Sequence, residues 1–174
     1  MAENSLWDKI LGLFRNAGPY IPTASVIRTP AGKVLQPVEG TVIPLEEFPD
    51  PVIAEGVLGN GVGIRPSGGV VVAPCDCVIT TAPDTGHAIG LDANGMEILI
   101  HIGVDTYNMK GEGFRVLVHV GDKVKLGTPL VKFDSSRIQA AGYNDTVAVL
   151  LTNTGDYDEG SVECGLKKGS SSDV

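Results

Sequence analysis

The chain of 174 residues holds three histidines, His87, His101 and His119. Near neutral pH an imidazole can act as nucleophile, proton donor or metal ligand. Two of the three flank a turn signal, in Thr85-Gly-His87-Ala-Ile-Gly-Leu-Asp-Ala-Asn-Gly95-Met-Glu-Ile-Leu-Ile-His101. Reading Ala93-Asn94-Gly95 as a three-residue hairpin loop, with Gly95 in the left-handed position, pairs Asp92 with Met96. The same register, carried along both strands, sets His87 directly opposite His101. Directly opposed residues share a face, with Cβ atoms about 4.5–5.5 Å apart. Ile89 then pairs with Leu99 and Leu91 with Glu97 on that face. Two facing imidazoles suit metal binding or nucleophilic catalysis, with one ring attacking and the other stabilising. Singly, each histidine is more often structural or solvated; the pair, with Thr85 and Asp105 nearby, points to function. His119, beside Gly121-Asp122, reads as a surface residue.

The elements that must hold this pair are strands. Gly and Pro number 23 and 11, and 21 Val with 12 Ile outnumber 14 Leu. Many turn formers with abundant β-branched residues predict a mostly β chain. Short apolar runs lie at 40–45, 62–65, 69–73, 76–81, 87–91, 96–102, 114–118, 130–133 and 146–151, between turn signals such as Phe48-Pro-Asp-Pro51, Gly59-Asn-Gly61 and Gly127-Thr-Pro129. That spacing predicts an all-β, antiparallel β-sandwich or barrel. Ser135 to Ala141 suits one or two helical turns. Residues 3–15 read as an amphipathic helix, with Leu6, Trp7, Ile10, Leu11 and Phe14 on one stripe and Ser5 as its cap. The expected organisation is helix and linker over 1–24, one domain over 25–152, and a polar, disordered tail over 153–174. The proline-rich stretch 17–37 suits a linker and a first edge strand.

Charge and cysteines narrow the function. The net charge of −8 is the opposite of a nucleic-acid footprint and favours a basic partner. Cys75, Cys77 and Cys164 form neither a CxxC pair nor a zinc spacing, and fit ordinary reduced thiols in a cytoplasmic protein. No basic start with an apolar core marks a signal peptide, and no apolar run approaches the roughly 18 residues of a membrane span.

Several collinear segments carry a resemblance. They are Pro37-Val-Glu-Gly40-Thr-Val, Phe48-Pro-Asp50-Pro-Val-Ile-Ala-Glu55, Gly59-Asn-Gly61-Val-Gly-Ile-Arg-Pro66, Gly95-Met-Glu-Ile-Leu-Ile-His101-Ile-Gly-Val-Asp105-Thr106, Lys110-Gly-Glu-Gly-Phe114 and Gly121-Asp-Lys-Val-Lys-Leu-Gly127-Thr-Pro-Leu130. Over about residues 25–152 the chain resembles the glucose-type IIA component of the bacterial phosphoenolpyruvate-dependent sugar phosphotransferase system. The resemblance implies a phosphocarrier that takes a phosphoryl group from the phosphohistidine of HPr. It passes the group to a cysteine of a sugar-permease IIB domain. By position, His101 matches the phosphorylated histidine, His87 its stabilising companion and Thr85 the hydroxyl beside that companion. Asp50 and Asp105 match carboxylates facing an arginine of HPr, and Val52, Ile53 and Leu99 match the apolar docking rim. The same resemblance implies a monomer without cofactor, although zinc can bridge the two histidines in a partner complex. Phosphorylation-dependent regulatory binding is a further implication. Family members with an amphipathic N-terminus use it at the membrane, so residues 3–15 are expected to touch the inner membrane face. The start at Met1 with such a helix favours a free-standing protein.

The chemistry agrees with those residue types. The neutral imidazole is the attacking form. One ring nitrogen must present its lone pair while the other donates to an acceptor, with a backbone carbonyl near Gly103 as candidate. Carboxylates belong on the rim, since one touching the phosphate would repel it. Two alternatives assign the chemistry differently. A zinc hydrolase would take His87, His101 and Asp105 as ligands with His119 as base. A biotinyl or lipoyl carrier is suggested by Gly121 to Gly127, but Met109-Lys110-Gly111 lacks the flanks of a modified lysine.

Overall fold

A computed structural model of the chain describes residues 26–29 and 32–153. The expected helix over 3–15, its linker and the tail beyond Asn153 lie outside the described residues. The strands are β1 (Val26–Thr29), β2 (Gly32–Leu35), β3 (Gly40–Pro44), β4 (Asn60–Pro66), β5 (Val70–Val72), β6 (Cys77–Thr81), β7 (Ala88–Ala93), β8 (Met96–Ile102), β9 (Phe114–Val116), β10 (Lys123–Val124), β11 (Pro129–Phe133) and β12 (Val147–Leu151). Two short helices, α1 (Pro51–Ala54) and α2 (Ser135–Ala140), and two 3-10 turns, Leu45–Glu47 and Thr106–Met109, lie between them.

Every strand pair is antiparallel. One sheet runs β10-β6-β7-β8-β12-β4-β3, a second runs β5-β11-β9, and β1 pairs with β2 alone. The two larger sheets share one core: Ile64, Ile79, Ile89, Leu91, Ile98 and Ile100 from the first meet Val71, Leu130, Val131 and Phe133 from the second. Burying each such side chain contributes about 1.5–3 kcal/mol. This is the antiparallel sandwich that the composition predicts. The sequence reading does not anticipate the two-residue β10, the β1–β2 hairpin or α1. Pro51 is the first residue of α1 and Asp50 caps it, so the Pro-rich turn signal at 48–51 doubles as a helix start.

The sheet is covered twice at its centre. All five residues of β12 are buried. Val147, Val149 and Leu151 face the main core, whereas Ala148 and Leu150 face a second cluster with Leu45, Phe48 and Ile53. On β8 the same alternation turns Ile98, Ile100 and Ile102 to the main core and leaves Leu99 with the second cluster. His101, one residue from Ile100 and two from Leu99, faces that second side.

Candidate functional site

The hairpin register differs from the sequence expectation by one residue. Ala93 pairs with Met96, Asp92 with Glu97, Leu91 with Ile98, Ile89 with Ile100, and Ala88 with His101. The loop is two residues, Asn94 and Gly95, both at positive φ (55° and 91°). That is the geometry of a type I′ turn, whose twist matches the flanking strands. Asn tolerates the left-handed conformation, which lets position 94 join Gly95 there. Two side chains pin the register. Asp92 Oδ1 accepts from the Gly95 N–H at 2.7 Å. Asn153, just past β12, donates to the Gly95 carbonyl at 2.7 Å and accepts from the Glu97 N–H at 3.0 Å. The expected ladder pairing of His87 with His101 is therefore overturned, and with it the placing of Ile89 and Leu91 beside Leu99 and Glu97.

The two rings meet nevertheless, with centroids 5.5 Å apart and planes inclined at 74°. Continued regularly, the ladder would set position 87 against Ile102 and point it to the core. Instead β7 begins at Ala88. Gly86, at φ +68°, turns the chain ahead of it. The His87 carbonyl still accepts from the Ile102 N–H at 2.7 Å. A backbone bend, not a shared ladder rung, brings the His87 ring to its partner. Gly86 is held to glycine by space as well, since a Cβ there would sit 2.7 Å from the Phe114 Cβ.

His101 stands between two small residues, with Ala88 on one neighbouring strand and Ala148 on the other. Its Nδ1–H donates to the Gly103 carbonyl at 2.8 Å. A carbonyl only accepts, so a neutral His101 carries its proton on Nδ1 and its lone pair on Nε2. Gly103 has φ +80°, and a Cβ there would come within 2.7 Å of the Asn144 carbonyl. The Gly103 and Val104 N–H groups donate to the carbonyls of Thr146 (2.9 Å) and Asn144 (3.0 Å). Fully buried Thr106 donates its hydroxyl to the Ile102 carbonyl. The loop after His101 is thus stitched to the chain before β12.

Thr85 Oγ1 lies 2.6 Å from His87 Nδ1. Burial is the main cause holding both imidazoles below the ordinary histidine pKa; for His87 the nearby His101 adds to it. At His101 the Gly103 carbonyl and the charges of Asp50 and Asp105 pull back part of the way. Both rings are therefore largely neutral at pH 7, and Asp50 and Asp105 are close enough to feel the site. Asp50 spends Oδ1 as the cap of α1, accepting from Val52 N at 2.8 Å and Ile53 N at 3.3 Å. Asp105 is exposed in the left-handed region, at φ 57°.

Among the apolar positions Val52 is 50% exposed. Ile53 is only 4% exposed and belongs to the second cluster, so it offers a partner little surface. Leu99 is half-buried against that cluster. Tyr107, not among the expected site residues, is 54% exposed with its ring centroid 6.1 Å from that of His87. The signal was an aromatic immediately after Asp105-Thr106. His119 sits at the surface, its Nδ1 3.9 Å from Asp122. Among the described residues no three His, Cys, Asp or Glu side chains gather as metal ligands, so His87, His101 and Asp105 do not make the metal centre that a zinc hydrolase needs. What the geometry does offer is one nucleophilic nitrogen with a fixed tautomer and a second, neutral ring beside it.

Comparison with known proteins shows the family. Residues 32–157 match the family described as phosphoenolpyruvate-dependent sugar phosphotransferase system, EIIA 1. The chain is 42% identical over 127 residues to the PTS system glucose-specific EIIA component of Oceanobacillus iheyensis, covering 72% of this chain and 77% of that one. It is 40% identical over 136 residues to the PTS system glucose-specific EIIBCA component of Corynebacterium glutamicum, covering 76% of this chain but 20% of that longer protein. Among solved structures it is similar to glucose permease IIA from Mycoplasma capricolum, at 33% identity and a TM-score of 0.68, over 83% of this chain and 89% of that one.

Proposed function

The chain belongs to the EIIA 1 family of the phosphoenolpyruvate-dependent sugar phosphotransferase system, and from that premise we propose that His101 Nε2 is the atom that carries the phosphoryl group. The protein is a phosphotransferase component of glucose-type sugar transport. The donor in this reading is the phosphohistidine of HPr. The Nε2 lone pair of His101 attacks phosphorus in line, the donor's P–N bond breaks, and its electron pair returns to the donor ring. In the second half the thiolate of a IIB-domain cysteine attacks the same phosphorus, and the bond to Nε2 breaks in turn. Little covalent work falls to the protein beyond positioning and charge stabilisation.

Each neighbour has a part in that work. The Gly103 carbonyl, 2.8 Å from Nδ1, holds the tautomer and favours the positive charge that develops on the ring once Nε2 is phosphorylated. With Thr85 donating to its Nδ1, neutral His87 carries its proton on Nε2, free to donate to a phosphoryl oxygen. Asp50 and Asp105 supply negative charge to a cationic partner. Val52, Leu99 and Ile53 form or support the apolar surface it covers, and covering it excludes water that would hydrolyse the intermediate. Residues 3–15 would bring the protein to the membrane face where a permease works.

The observation that carries this reading is the His101 Nδ1–Gly103 bond beside a second neutral ring. The test is incubation with phosphoenolpyruvate, enzyme I and HPr, followed by intact mass and acid treatment. A gain of one phosphoryl group, lost in acid and mapped to His101, is expected. An acid-stable phosphate, or one on another residue, would overturn the assignment.

A further inference from the structure

A chain of net charge −8 gathers three of its 13 Lys and Arg residues, all exposed, around one open surface cavity of about 320 Å³, whose lining includes Arg115 on β9, Lys132 on β11 and Arg137 on α2. Arg115 and Lys132 are direct partners across the β9–β11 pair. Like charges so placed repel one another. Neither is in an ion pair among the described residues. Arg137 has one carboxylate within reach, with its Nε 3.9 Å from Asp134 Oδ2. The other oxygen of Asp134 is already taken, accepting from the Arg137 N–H at 3.1 Å as the cap of α2. Three cations thus face one cavity against a single, partly committed anion.

We propose that this cavity binds a small phosphorylated anion. Its volume lies in the range of small-molecule sites, roughly 300–1,000 Å³. Two guanidinium forks and an ammonium match a phosphate ester, which brings close to two charges and three strong acceptor oxygens. A lone carboxylate would leave the Arg115–Lys132 repulsion half answered. The wall stays open because position 113 is glycine: a Cβ there would press to 3.3 Å from the Arg137 Cβ. Phe114, also in the lining, packs against Gly86, the residue between Thr85 and His87. The cavity shares no residue with the histidine pair, so the inference does not rest on the phosphocarrier reading, yet its occupant adjoins the loop that holds His87.

The experiment titrates the full ¹⁵N-labelled chain with phosphoenolpyruvate, glucose 6-phosphate and inorganic phosphate, following backbone amide shifts. Saturable shifts centred on Gly113, Phe114 and Lys132 are expected, with a smaller response at Gly86. Arg115→Gln and Lys132→Gln should each weaken binding by about tenfold, the worth of one charge-assisted hydrogen bond. Arg137→Gln, at an exposed side chain, gives the same reading should a β-strand variant fail to fold. His101→Gln should bind as the parent does. Shifts centred on His101 and Gly103, shifts that never saturate, or binding unaffected by all three cation variants would each overturn the proposal. A parallel arm uses phosphatidylglycerol vesicles. Vesicle binding without a response to the soluble esters would assign the cavity to a lipid surface and defeat the small-ligand claim.

Discussion

Ala148 of β12 is the direct ladder partner of His101, and Ala88 of β7 faces the same histidine from the other side. Ala148 is fully buried, so a larger residue there has nowhere to go but toward the ring or the second cluster. Ala148→Val should destabilise the fold by about 1–3 kcal/mol. It should also slow phosphoryl acceptance by tilting His101 off its Gly103 acceptor. Urea denaturation and the rate of phosphorylation by phospho-HPr check the two effects separately.

The roles of the two rings predict different failures. His101→Gln should abolish acceptance, because no nucleophilic nitrogen is left at that point. His87→Gln should still accept a phosphoryl group but pass it on more slowly to the IIB cysteine. Intact mass after exposure to phospho-HPr, then transfer to a purified IIB domain, reads each step. A His101→Gln protein that still takes label would sink the assignment.

Gly103→Ala tests whether the acceptor carbonyl needs its backbone conformation. The residue sits at φ +80°, and the new Cβ would be 2.7 Å from the Asn144 carbonyl. The left-handed conformation alone costs about 1–2 kcal/mol for a non-glycine residue, and the collision adds to it. The expected outcome is a less stable protein whose His101 no longer shows a protonated Nδ1 in ¹⁵N imidazole spectra at neutral pH.

The pH dependence follows from burial. Both His87 and His101 have depressed pKa values in the folded protein, burial being the larger cause in each. The unfolded chain, with histidines near pKa 6.5, binds more protons below that pH than the native state does. The contribution of these residues to stability is therefore fully present above about pH 6.5 and is lost as pH falls through their lower folded values. Denaturation midpoints should fall over that window, and less so in the His87→Gln, His101→Gln double variant. Imidazole Cε1 titration by NMR should place both midpoints below 6.5, the ordinary histidine value.

Asn153 holds the β7–β8 turn from outside the hairpin, through bonds to Gly95 and Glu97. Asn153→Ala should cost about 1–3 kcal/mol for two lost hydrogen bonds. Faster amide exchange should appear first at Glu97, whose N–H donates to Asn153, whereas the Gly95 N–H keeps its Asp92 acceptor. Exchange unchanged at the Glu97 amide would show that the Asn94-Gly95 turn alone sets the register.

Much of this protein is determined within short stretches of its sequence. Alternating Ile98, Ile100 and Ile102 specify a strand with a buried face, and Ser135 to Ala140 carries its own Asp134 cap. The motif around His101 suffices to single out that histidine, through the family resemblance, as the candidate nucleophile and to suggest a carbonyl near Gly103 as its acceptor, because the two lie within three residues and their geometry is local. The meeting of His87 with His101 is decided at a higher level. The positive φ at Asn94 and the grip of Asn153 shift the ladder by one residue, and the turn at Gly86 then swings His87 back. The first shift has a local signal, since Asn-Gly is the preferred pair for a two-residue type I′ turn; the second does not, because the bend at Gly86 packs against Phe114, far along the chain. Long-range packing also decides Ile53, the buried residue of α1, which packs with Ala148 and Leu150. Local conformational preference names the chemical groups; long-range packing sets the few ångströms that bring the two rings together.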